Sequence, residues 1–289
     1  MSRPRSFPTL APLETLHETK RGRLLPLPPR LSRLYGRLRM PPAHSRPHVF
    51  TNFAATLDGV VSLNVEGHKS GGDISGWSAQ DRMVMGLLRA LVDAVVIGSG
   101  TFVVDRRHLW TAEDIFPKFA NDYRALRAAL GKRGPPLNAV VSGSGRLDLR
   151  LPLFASGKVP ALIVTSPAGE KNLRRQRVPD TVRIQAVTSK GNTISARSVL
   201  DAVCRASSGK LILVEGGPRL IADFYAEGLL DEQFLTLSPQ IAGRPIPDER
   251  ISLVMGQTFA PRHPLWGSLA DLRRGNSHLF LRYAFPRRK

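Results

Sequence analysis

Residues 211–218 read Leu-Ile-Leu-Val-Glu-Gly-Gly-Pro. The apolar run predicts a buried strand that ends in a carboxylate and a glycine pair. Pro218 suits the first turn of a helix, where its missing N–H costs nothing. Leu220, Ile221, Phe224 and Tyr225 then recur at helical spacing, and Gly228 closes the segment. A strand, a glycine turn and a helix N-terminus can bind an anion: backbone N–H groups and the positive end of the helix dipole meet a phosphate, and glycine lets it come close. The same pattern also suits a tight βα turn with no ligand. A second strand runs into glycines at Ala94-Val95-Val96-Ile97-Gly98-Ser99-Gly100-Thr101. Gly98 and Gly100 give G-x-G, but Val103 stands where the dinucleotide fingerprint needs its third glycine. Two such turns, far apart in sequence, suggest one extended ligand bridging two loops beyond the carboxyl ends of parallel strands.

Other chemistry-bearing residues are sparse. The seven histidines are scattered, no serine is framed as a nucleophile elbow, and no cluster has metal-ligand spacing. Cys204 is the only cysteine, which excludes an internal disulfide and a multi-cysteine zinc site. It sits in a helical pattern with Val199, Leu200 and Val203, where packing is its role. Glu215 is a carboxylate at a buried strand end and has to find donors there. Ser78 with Asp81 three residues on reads as a capping box, so Asp81 either completes that cap or faces a ligand. Asp58, in Leu57-Asp58-Gly59, is a turn-former rather than an acid.

Four motifs in register carry a resemblance. They are Thr56-Leu57-Asp58-Gly59; Leu88-Arg89 with Asp93 through Thr101; Val141-Ser142-Gly143-Ser144-Gly145-Arg146-Leu147-Asp148; and Val214-Glu215-Gly216-Gly217-Pro218. Together, over about residues 46–285, they resemble the reductase domain of the bifunctional riboflavin-biosynthesis deaminase–reductase. That resemblance implies a dihydrofolate-reductase-like α/β fold, NADPH as cofactor, a small heterocyclic substrate and a homodimer. Hydride transfer is the cofactor's own chemistry, so no nucleophile–base triad is required. Residue by residue, it implies Ala55 and Thr56 near the nicotinamide, and Gly98, Thr101 and Asp105 holding the cofactor at the glycine loop. Ser142 would touch the adenosine side, and Gly216, Gly217, Pro218, Arg219 and Leu220 would form the pyrophosphate turn. Asp81 and Glu215 would face the substrate.

The implied substrate is 5-amino-6-(5-phosphoribosylamino)uracil, with a dihydrofolate or dihydropterin as the alternative. Two positions depart from the family pattern. Asn52 stands where it has Lys, and Asp81 where it has a basic residue suited to a phosphorylated ribose. An acid at that place suits the N–H or amino edge of a pyrimidine or pterin. The zinc deaminase partner needs H-x-E with P-C-x-x-C, and neither occurs, so the resemblance is to the reductase alone.

Positioning these residues falls to alternating strands and helices. Strands are expected at 49–56, 94–98, 138–142, 161–165, 182–187, 211–215, 233–237 and 278–285, with a glycine-rich loop over 64–76. Helices are expected from Ser78, over 119–130, over 195–207 and over 218–227. This predicts one α/β domain with a mostly parallel sheet of about eight strands and an antiparallel C-terminal edge. Residues 1–46 differ, holding ten Lys or Arg against two Glu, +8 of the chain's +19, with prolines throughout. They read as a basic arm or a strap held by Leu31, Leu34, Tyr35 and Leu38, ahead of a reductase-like domain over 47–289. The charge suits attraction of a polyanionic cofactor. It also motivates a rival function, a non-catalytic nucleotide-binding or nucleic-acid-associated protein on the same fold. Against nucleic acid, aromatics are not interleaved with the charges and no recognition motif appears. No run approaches the ~18 apolar residues of a membrane helix and no signal peptide appears, so a cytoplasmic protein is expected.

Overall fold

The computed structural model describes residues 10–41, 46–191, 193–207, 209–247 and 250–286. Residues 1–9 and 42–45 of the expected basic arm lie outside the described residues. Ten strands form one sheet. In chain order they are β1 (Glu14–Glu18), β2 (His48–Ala55), β3 (Ala94–Gly98), β4 (Leu137–Ser142), β5 (Ala161–Thr165), β6 (Val182–Ala186), β7 (Leu211–Val214), β8 (Glu232–Leu237), β9 (Ser268–Gly275) and β10 (His278–Ala284). Their spatial order is β1-β9-β10-β8-β2-β7-β3-β4-β5-β6. From β8 to β6 all neighbours run parallel; β10, β9 and β1 close the other edge antiparallel. The mixture is the expected one, and the two strands beyond the expected eight are β1 and β9.

Among the described residues ten α-helices connect these strands: α1 (Pro29–Tyr35), α2 (Gly71–Ser75), α3 (Ala79–Leu91), α4 (Ser99–Val104), α5 (Ala112–Ile115), α6 (Ala120–Ala129), α7 (Pro152–Ala155), α8 (Pro167–Leu173), α9 (Ala196–Ala206) and α10 (Pro218–Ala226). Successive strand residues point to opposite faces. Val95, Ile97, Val140 and Leu213 enter the layer of α3 and α6, with Leu87, Leu88, Leu91, Tyr123 and Leu126. Val96, Ala139, Ile212 and Val214 enter the layer of α9 and α10, with Val199, Val203, Ile221 and Phe224. Each such side chain contributes about 1.5–3 kcal/mol by leaving water. Leu87→Ala, at a fully buried position of α3, would cost about 2–5 kcal/mol.

Two local expectations need correction. The stretch 64–76 is not all loop, because Ser70 and Asp73 form a full capping box that starts α2. The box expected at Ser78 and Asp81 is only half made. Ser78 Oγ accepts the Asp81 N–H at 3.3 Å and caps α3, while the Asp81 carboxylate does not return to Ser78.

Residues 10–41 lie across the antiparallel edge. β1 pairs with β9, and Leu31, Leu34, Tyr35 and Leu38 are buried in the same core as α3. Arg273 of β9, fully buried, is the fastening. Its guanidinium donates to the carbonyls of Tyr35 and Arg37, to Thr15 Oγ1 at 2.8 Å and to both Asp271 oxygens at 2.8 and 2.7 Å. It also lies 4.3 Å over the Tyr35 ring.

Candidate active site

β3 and β7 are parallel neighbours, so the glycine turns that follow them meet. The Gly98 N–H donates to the Gly216 carbonyl at 3.2 Å. Gly216 (φ 120°) and Gly217 (φ 91°) hold backbone conformations that side chains disfavour. A Cβ on Gly216 would come within 2.7 Å of Thr101 Cγ2, and one on Gly98 would sit 3.5 Å from Gly217 Cα. Gly100 faces open space. Beyond the paired turns Pro218 begins α10, whose first-turn N–H groups have no intrahelical acceptor. Arg219 is exposed and its guanidinium has no partner among the described residues. Leu220 packs into the α9–α10 layer and leaves only its backbone to a ligand.

Behind this turn lies a buried polar cluster. Glu215 is 7% exposed and Arg89, on the last turn of α3, 3%. Arg89 places Nε 2.7 Å and Nη2 2.6 Å from Glu215 Oε2, and Nη1 3.3 Å from the Thr111 carbonyl. Burial raises the Glu215 carboxyl above the ordinary range, and Arg89 and then Asn52 oppose that rise. Even so, Oε1 completes no hydrogen bond of good geometry among the described residues. Asp81 is close enough to act on Glu215 by charge and is itself 4% exposed. Its carboxyl is raised too, by burial first. The hydroxyls of Thr236 and Ser75 and the charges of His278 and Arg82 favour the ionised form.

The remaining expected residues fall around this centre. Ala55 ends β2 and Thr56 follows it, but their polar groups are spent internally. The Ala55 carbonyl accepts from Ser238, and Thr56 Oγ1 donates to Asp58 at 2.5 Å while accepting the Val60 N–H. Asp58 is a turn residue that also receives the amides of Ala242 and Gly243, and these bonds, Thr56 foremost, pull it down to about 2. Asp105 closes α4; burial raises its carboxyl, with His108 and Arg89 opposing. Ser142 ends β4 beside β3 and is 3% exposed. The turn after it leads into an open groove of about 1340 Å³, lined in part by Arg146, Arg175 and Arg177. None of these three guanidiniums has a partner among the described residues.

A dinucleotide fits these residues: the glycine cradle admits no Cβ at Gly216, a helix opens beside it, and Arg219 is free to meet an anion. No cluster among the described residues could hold a metal, and no helix among them is long and apolar enough to cross a membrane. Sequence reasoning missed Arg89 as a site residue. Its signal is a charged side chain between Leu88 and Ala90 in the buried stretch of α3.

The RibD C-terminal domain model matches residues 47–255. The 2,5-diamino-6-ribosylamino-4(3H)-pyrimidinone 5′-phosphate reductase of Archaeoglobus fulgidus is 27% identical over 203 residues, covering 70% of this chain and 85% of that protein. The Schizosaccharomyces pombe protein of the same name is 26% identical over 218 residues, covering 70% and 77%. The riboflavin biosynthesis protein RibD of Aquifex aeolicus is 23% identical, and the match spans only 48% of it. Among solved structures, a pyrimidine reductase-like protein from Corynebacterium diphtheriae has the same fold, with a TM-score of 0.64 at 21% identity, covering 84% of this chain and 93% of that one.

Proposed function

The chain belongs to the RibD C-terminal domain family, and from that membership we propose that it is an NADPH-dependent reductase of a ribosylamino-pyrimidine. One observation carries the reading. The two glycine turns meet at a 3.2 Å hydrogen bond directly beside Glu215, a buried carboxylate one of whose oxygens completes no hydrogen bond of good geometry among the described residues. A bound nicotinamide supplies the hydride. The chain's own part is binding and orientation. The turn of Gly216, Gly217 and Pro218 receives the pyrophosphate with Arg219, and Thr101 and Asp105 hold the cofactor from the neighbouring loop. Ser142 adjoins the adenosine end, and Ala55 and Thr56 lie as backbone at the floor of the nicotinamide end. Glu215 and Asp81 accept N–H groups of the heterocycle.

The groove with Arg146, Arg175 and Arg177 supports NADPH over NADH, since a ribose 2′-phosphate needs a guanidinium or ammonium partner. Arg146→Ala should therefore weaken NADPH about tenfold and leave NADH unchanged in a fluorescence titration; equal losses would remove the groove from the cofactor site. The division into a strap over 1–46 and a reductase domain over 47–289 belongs to the same proposal, as does a homodimer, which light scattering at micromolar concentration would test.

Following NADPH absorbance with the phosphoribosylamino-pyrimidine and with dihydropterins tests the whole reading. Turnover of the pyrimidine is the expected result. Turnover of dihydropterins alone would move the assignment to the second substrate class, which the buried Asp81 favours. Cofactor binding with no turnover of either would favour the non-catalytic rival.

A further inference from the structure

The two oxygens of Glu215 are treated differently. Oε2 takes both Nε and Nη2 of Arg89, at 2.7 and 2.6 Å, whereas Oε1 completes no hydrogen bond of good geometry among the described residues, with the Asn52 amide as its nearest donor. Arg89 is itself pinned, because Nη1 reaches the Thr111 carbonyl and the residue is 3% exposed on α3. A carboxylate on a free rotor would offer either oxygen to a ligand; this one is gripped by one edge. The other groups facing Glu215 are the Asn52 amide from β2 and the Asp81 carboxyl from α3. Arg89 is thus the cation that holds it in place, and its charge reaches Asp105 on the cofactor loop as well.

We propose that Arg89 is a positioning residue of the reductase site: by gripping Oε2 of Glu215 it reserves Oε1 as the acceptor for an N–H of the heterocycle. The proposal rests on the reductase reading. A purely structural role would make Arg89 only the counter-charge of a buried acid.

Kinetics across pH separate the two, using Arg89→Met and Arg89→Lys, each alone and in a Glu215→Gln background. Because Oε2 faces two Arg89 donors, a proton on Glu215 falls on Oε1 and turns that acceptor into a donor, so activity falls as pH drops through its pKa. Removing a neighbouring opposite charge raises a carboxyl by about 1–3 pH units. Arg89→Met should therefore lower kcat/KM at least tenfold at neutral pH and move the acid limb upward by about one pH unit or more. Arg89→Lys should restore part of both. In the Glu215→Gln background the same substitutions should add less than about threefold, because coupled residues do not add. A loss equal in both backgrounds, or an acid limb that stays in place, would overturn the proposal.

Should Arg89→Met not fold, Arg89→Lys carries the same comparison. A carbon-13 NMR titration of the Glu215 carboxyl follows its ionisation without any turnover. If the wild type oxidises no NADPH, the reductase reading fails; if the Glu215 titration is the same in wild type and Arg89→Lys, the grip of Arg89 fails.

Discussion

Asp81 shows what a single side chain decides in this fold. The cap of α3 is made by Ser78 Oγ on the Asp81 N–H, so the Asp81 carboxylate takes no part in it. Asp81→Asn should keep the helix and lower reductase efficiency at least tenfold, about 1.4 kcal/mol of transition-state stabilisation. Ser78→Ala should do the opposite, costing about 1 kcal/mol of stability with little kinetic effect. Equal melting losses in both would show that Asp81 serves packing alone. The pH dependence has a definite sign. Burial raises this carboxyl in the folded protein, so the folded state holds its proton at pH values where the unfolded chain has released it. The resulting stability is complete below the unfolded value and is lost as pH rises through the folded one. Asn does not titrate, so Asp81→Asn should gain in Tm relative to wild type as pH rises above the ordinary carboxylate range.

At the scale of elements, the glycine turns are the part of the site most legible in sequence. Gly98 and Gly216 were paired by pattern alone, and they touch because β3 and β7 are neighbours. Gly216→Ala places a methyl 2.7 Å from Thr101 at a φ of 120°, so it should push α4 from α10. We expect dinucleotide affinity to fall at least tenfold in a calorimetric titration, and unchanged affinity would remove the turn from the cofactor site. Other elements left weaker signals. β1, Glu-Thr-Leu-His-Glu, shows no apolar face because its face is an edge. β9 carries Asp271 and Arg273, charged residues that interrupt any apolar pattern yet neutralise one another inside the protein. The polar cluster behind the turn was half visible: Glu215 by its strand end, but not Arg89, whose partner lies on another element.

For the whole molecule, the basic segment that composition sets apart is built into the body over its described residues. Leu31 is fully buried and β1 extends the sheet, so removing residues 1–45 would strip core as well as charge. The nucleic-acid rival is therefore better tested by reversing Arg21 and Arg23, two exposed positions of the strap. Salt-sensitive binding to RNA or DNA that those reversals abolish, without loss of Tm, would support it. Arg273→Ala tests the strap itself. Removing one partner of a buried pair leaves Asp271 uncompensated and costs about 3–5 kcal/mol. The expected result is a lower Tm with early tryptic cleavage between β1 and α1; an unaltered Tm would show that the strap is held by its apolar residues alone.

The clasp between Thr15 and Arg273 joins positions 258 residues apart. A ribosome adding about 5–20 residues each second makes the second partner roughly 13–50 s after the first. During that interval β1 has no sheet edge to join. β1 precedes the nine other strands of its sheet in the chain, yet it joins the sheet only after β9 has been made.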